Sequence, residues 1–121
     1  MTFEYADRPE PDPQSLIVVV TRVRTKTELL DVLRHGLAVP SWFGHNWDAL
    51  HEGLRDLSWV PVRNVVLCHV AIPELPIAEL KTYLGILSES VANPFTPDHS
   101  LRVVFPPGSE PIIQLANEAP P

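Results

Sequence analysis

Residues 38–57 hold the side chains with the clearest potential for chemistry. Asp48, Glu52 and Asp56 stand four residues apart, so on a helix they rise one above another along a single face. His45, His51 and Arg55 fall within the same stretch. A column of carboxylates repels itself, stability alone gives no reason to stack it, and a cationic partner is its natural complement. Histidines beside carboxylates also suit a metal site or general acid–base catalysis. That second chemistry is incomplete here. His51-Glu52 begins like a zinc-protease helix, but the second histidine that such a helix needs falls on Arg55. A nuclease would need cations for the scissile phosphate, and Arg55 alone lies close. Docking therefore ranks ahead of a His/acid hydrolase, no enzyme activity is expected, and neither a metal nor a cofactor is implied. His35, His69 and His99 have no partners in sequence and read as ordinary positions.

Plainer roles exist for each residue. Asp48 would favour a helix N-terminus through the helix dipole, and Glu52 with Arg55 would make an exposed pair worth little. Trp47 shares a face with Leu50 and Leu54 and belongs to the core. Gly44 would serve a turn with positive φ. Only the combination lifts the docking reading above these alternatives.

The elements that must position this stretch follow from periodicity and punctuation. Leu16–Arg22 is β-branched and continuously apolar at its centre, as in a buried strand. Thr25-x-x-Glu28 is a capping box that opens a helix with Leu29, Leu30, Leu33 and Leu37 inward and Gly36 near its stop. Asn46 is placed to cap a second helix, Trp47–Leu57, whose Trp47, Leu50, Leu54 and Leu57 form the inner face. Asn64–Val70 is a second apolar strand. Pro76 suits the first turn of a third helix with Ile77, Leu80, Leu84, Leu87 and Val91 inward, ended by Asn93-Pro94. Leu101–Phe105 is the last strand. The order β-α-α-β-α-β predicts an α/β domain: a small three-stranded parallel sheet with packed helices.

Composition is consistent with that scale. A chain of 121 residues makes one domain able to bury a core without staples. Prolines cluster at Pro9, Pro11 and Pro13 and again at Pro106, Pro107, Pro111, Pro120 and Pro121. The expected division is a poorly ordered segment 1–15, a domain 16–105 and a proline-rich tail 106–121. No apolar run approaches a membrane span, and Met1–Asp7 has neither the basic start nor the apolar stretch of a secretion signal. Cys68, alone among valines and leucine, reads as a small buried hydrophobe in a reducing compartment. The formal charge of −6 disfavours nucleic acid and anionic membranes as partners and favours a basic protein.

The run Pro40-Ser41-Trp42-Phe43-Gly44-His45-Asn46-Trp47-Asp48-Ala49-Leu50 resembles the barstar family, whose signature is Pro-x-aromatic-aromatic-Gly-x-Asn-x-Asp-Ala-Leu. Members are intracellular inhibitors of a secreted bacterial ribonuclease. The likeness is specific over residues 38–57, reduces to element order between Leu16 and Phe105, and does not reach the tails. It implies a cytoplasmic inhibitor or immunity protein, monomeric alone and 1:1 with a basic ribonuclease or related toxin. By position, Trp42 and the loop at Gly44 would touch the nuclease, Asn46 would sit at the rim, and Asp48 would meet basic residues. Glu52 would enter the active site where substrate phosphate lies, since arginine and lysine accept either anion. His51 replaces a family tryptophan and brings a titratable group to the contact. The family's third-helix acid falls near Ile86, with Glu89 about one turn away. The alternative implied by these departures is a barstar-type scaffold reused to bind a partner that is not a nuclease.

Overall fold

The structure is a computed structural model that describes residues 3–7, 12–41, 43–95 and 97–118. Four strands, β1 (Glu4–Tyr5), β2 (Ser15–Val20), β3 (Asn64–His69) and β4 (Ser100–Phe105), form one parallel sheet in the order β1-β4-β3-β2. The helices are α1 (Lys26–Gly36), α2 (Trp47–Asp56), α3 (Ile77–Ala92) and α4 (Glu110–Glu118). The class is α/β with a parallel sheet, and β2, β3 and β4 are the three strands the sequence predicts.

Packing follows the pleat. Val18, Val20, Val65, Leu67, Leu101, Val103 and Phe105 project from the sheet into one core with Leu29, Leu33, Leu50, Leu54, Leu84, Leu87, Ile113 and Ala116 from the helices. The alternate residues Val66, Cys68 and Val104 form a smaller buried group with Ile17. The continuous apolar run of β2 suggests a strand buried on both faces, but β2 is an edge strand and Val19 is 53% exposed. Gly36 lets α1 lie directly on β2, because a Cβ there would collide with Val18.

Two expectations about the termini are corrected. The sheet has four strands, not three, because Phe3 is buried edge-on to Phe105 at 5.3 Å and Ala6 N–H donates to the Phe105 carbonyl at 3.0 Å. Arg102 then clamps Glu4 with two hydrogen bonds of 2.7 and 2.6 Å, which hold the Glu4 carboxyl below its usual range. A two-residue strand has no periodicity to read, so a single buried aromatic decides it. The second correction concerns residues 106–121, where α4 forms. Pro111 stands in its first turn, where a missing N–H costs nothing, and Gly108 makes the preceding turn with φ 81°. Prolines that look like breakers are here a helix start.

The third helix is buried more widely than one stripe. Tyr83 and Ile86 are enclosed along with Leu80, Leu84 and Leu87, whereas Ile77 is 52% exposed. α3 packs against α2, α4 and β4 together, so more than one of its faces meets protein.

Candidate functional site

The loop before α2 is held at both ends and from beneath. Asn46 caps the helix, its Oδ1 accepting from Ala49 N–H at 2.8 Å. Gly44 is confined by that cap: a Cβ would lie 3.1 Å from the Asn46 amide nitrogen and 3.3 Å from the Ala49 methyl. Its φ is not positive, so close approach and not turn geometry selects glycine here. Phe43 lies against Gly53 of α2, where any side chain would strike its ring, and contacts Trp59 with centroids 5.6 Å apart. Trp59 in turn donates its indole N–H to the Leu37 carbonyl at 2.8 Å. His45 reaches Asp31 of α1 at 3.1 Å. Trp42 lies outside the described residues.

α2 divides cleanly. Leu50, Gly53 and Leu54 face the core, and Leu57 closes the helix in the left-handed conformation at φ 53°. Trp47 packs on that core, with its ring stacked on Tyr83 at 6.2 Å and the Lys26 ammonium 5.2 Å from its centroid. On the other side Asp48 and Glu52 are exposed, and among the described residues neither makes an ion pair or a side-chain hydrogen bond. Asp56 ends the column differently, accepting from Ser58 Oγ at 3.0 Å.

The Glu52–Arg55 pair offered as a plainer role does not form. Arg55 is drawn toward the end of α3: Nε donates to the Asn93 carbonyl at 2.8 Å, Nη1 is 3.8 Å from Glu89, and the guanidinium lies 4.2 Å from the Phe95 ring centroid. His51 turns the same way, with Nε2 3.2 Å from Glu89 at an ion-pair distance but without hydrogen-bond alignment. Glu89 thus stands beside both His51 and Arg55 of α2. Ile86, near which the resemblance puts the family's third-helix acid, is buried. Glu89 and Phe95 escape a reading of α2 alone, although the mere presence of an acid near the third-helix position hints at the first.

His45 and His51 diverge onto different elements, and among the described residues no group of three or more His, Cys, Asp or Glu gathers to hold a metal. His69 is not an ordinary position. It is buried, its Nδ1–H donates to the Val104 carbonyl at 3.0 Å, and its Nε2 accepts the Tyr83 hydroxyl at 2.7 Å. Burial holds its pKa down to about 4, and burial raises that of Tyr83. The ring stacks on Phe105 at 4.1 Å, in the core and away from the acids of α2.

Among the described residues, no helix is long and apolar enough to cross a membrane. No curated protein matches the chain. A family model does: Barstar (barnase inhibitor) matches residues 14–105, which include the loop, α2 and the end of α3. With the aromatic-glycine loop, the capping Asn46 and the acid face of α2 all inside that match, the chain belongs to the barstar family.

Proposed function

We propose that this chain inhibits a small basic ribonuclease by plugging its active site with the loop at Gly44 and the acid face of α2, and that it performs no chemistry itself. The observation that carries the reading is that, among the described residues, Asp48 and Glu52 make no ion pair or side-chain hydrogen bond, beside an arginine that is held elsewhere. Arg55 sits three residues after Glu52, close enough on a helix to neutralise it, yet Asn93, Glu89 and Phe95 occupy its guanidinium. The two carboxylates are therefore left open to a cationic cleft. Glu52 stands in for the substrate phosphate, met by the arginine forks and lysines that would hold an RNA backbone. Asp48 meets basic residues beside it, and Trp42 and Gly44 supply the close loop contact. Asn46 holds the loop against the helix, and His51, about one-third exposed, flanks the anchor. The partner is protein and not nucleic acid or membrane, the complex is 1:1, and the inhibitor acts in the cytoplasm as a monomer.

Inhibition of RNA cleavage by a panel of barnase-type ribonucleases tests this. Stoichiometric inhibition is expected of at least one enzyme, competitive with RNA and steeply weaker as salt rises. Glu52→Ala should weaken it at least about 30-fold, as loss of an interface anchor does. Failure to inhibit any enzyme in the panel would overturn the reading in favour of a different partner.

A further inference from the structure

Six large hydrophobic side chains stand exposed among the described residues, and Phe95 is the aromatic one, at 51%. Val19, Val70, Ile77, Ile112 and Leu115 belong to the edge strand, the end of β3, the start of α3 and the outer side of α4. A scattered exposed aliphatic residue is ordinary on a protein surface. Phe95 differs because it is fixed in place from two sides. Its N–H donates to the Arg55 carbonyl at 2.9 Å, and the Arg55 guanidinium covers the ring at 4.2 Å. Arg55 is itself anchored by the Asn93 carbonyl at 2.8 Å and stands near Glu89. The residue nonetheless remains half exposed, more than a core aromatic would be.

Its location gives it a use. Asp48, Glu52 and Arg55 are spaced by four and three residues, so they share one face of α2, and Arg55 stands roughly 10 Å along the helix from Asp48. Phe95 therefore continues the acid face at its C-terminal end. We propose that Phe95, seated on Arg55, is a second anchor of the docking surface and contacts the rim of the cationic cleft that Glu52 enters. The occupant is the same basic ribonuclease, so the inference rests on the function proposed above. A rim arginine or lysine would lie across the open part of the ring, its charge attracted to the aromatic face and its stem shedding water. Because the ring is already immobilised, little side-chain freedom is lost on binding.

The test compares Phe95→Ala, Phe95→Trp and Glu52→Ala, each checked for an unchanged melting temperature, against whichever panel ribonuclease the wild-type chain inhibits. Phe95→Ala should raise the dissociation constant about 10-fold, mostly through faster dissociation, and Phe95→Trp should restore it to within about 3-fold. The Phe95→Ala loss should persist at high salt while the Glu52→Ala loss shrinks, because one contact is short-range and desolvated and the other is screened. Wild-type affinity in Phe95→Ala, with Glu52→Ala weakened, overturns the Phe95 anchor and leaves the inhibitor reading intact. A Phe95→Trp protein that binds as poorly as Phe95→Ala overturns it too. Full affinity in all variants overturns both the Phe95 anchor and the placement of Glu52 in the cleft.

Discussion

Two polar groups of this chain sit about as differently as one fold allows. His69 and Tyr83 are sealed between sheet and helix, and each of their polar side-chain atoms has a partner. Asp48 and Glu52 stand in solvent with no partner among the described residues, although Arg55 is within reach along the helix. Burying a polar group without a hydrogen bond costs free energy, so the first pair must be satisfied internally or the core fails. Exposed carboxylates face no such demand, and what they leave unsatisfied is available to another molecule. The contrast assigns the buried pair to stability and, on the function we propose, the open pair to recognition.

The largest effect expected from that contrast is on stability below neutral pH. His69 titrates near 6.5 when unfolded and at about 4 when folded, so between those values the unfolded chain binds the proton that the folded chain refuses. Stability is complete above about pH 6.5 and should fall by roughly 2 kcal/mol by pH 5. The Glu4 carboxyl, held low by Arg102, is lost only at lower pH and does not contribute in that window. Denaturant midpoints at pH 7 and pH 5 measure the slope, and His69→Gln should flatten it. Tyr83→Phe, which leaves Nε2 of His69 without its donor, should cost about 1–3 kcal/mol at neutral pH. A flat wild-type profile would mean that His69 is not sealed as its contacts indicate.

Gly53 lies between the two regions and couples them. It is on α2, yet the residue that needs it small is Phe43 of the loop before that helix. Alanine is the better helix former by about 1 kcal/mol, so a Gly53→Ala protein would gain stability if the helix stood alone. Here the added methyl must displace the Phe43 ring and with it the contact to Trp59, so a net loss of about 1–2 kcal/mol is expected on thermal unfolding. Binding should weaken as well, because the displaced loop carries Gly44. A more stable Gly53→Ala protein would show that Phe43 repacks freely and that the loop is not held from beneath.

Much of this was legible in the residues because it rests on local rules. Thr25 and Asn46 cap their helices as their side chains demand, and Leu29, Leu33, Leu50 and Leu54 mark inner faces by spacing alone. What stayed hidden depends on contacts distant in sequence. Phe3 makes a strand only because Phe105 lies beside it, and α4 follows a run of prolines because Ile113 and Ala116 find the core. The same holds at the site. Spacing places Asp48 and Glu52 on one face, and it also allows a local pairing of Glu52 with Arg55. That pairing fails because Asn93, Glu89 and Phe95, more than thirty residues downstream, claim the guanidinium.

The smallest stability effect belongs to the acids themselves, and it is the most informative about the contrast. Asp48→Asn and Glu52→Gln remove charge but little volume from exposed side chains that make no ion pair or side-chain hydrogen bond among the described residues. Surface changes of this kind shift stability by no more than about 0.5 kcal/mol, so melting temperatures should stay within about 2 °C of wild type. Asp48 sits in the first turn of α2, where a negative charge favours the helix dipole, so Asp48→Asn should lower the melting temperature slightly. Glu52, a turn further along and four residues from both Asp48 and Asp56, gains less from the dipole and is repelled from both sides. Glu52→Gln should therefore be neutral or slightly stabilising. That difference in sign separates an acid that also serves its helix from one retained at some cost to it. Thermal unfolding of the two variants at low salt resolves it, and added salt should shrink both shifts together. If Glu52→Gln instead melted several degrees below wild type, Glu52 would hold the fold together, and the division between a stabilising core pair and a recognising surface pair would collapse.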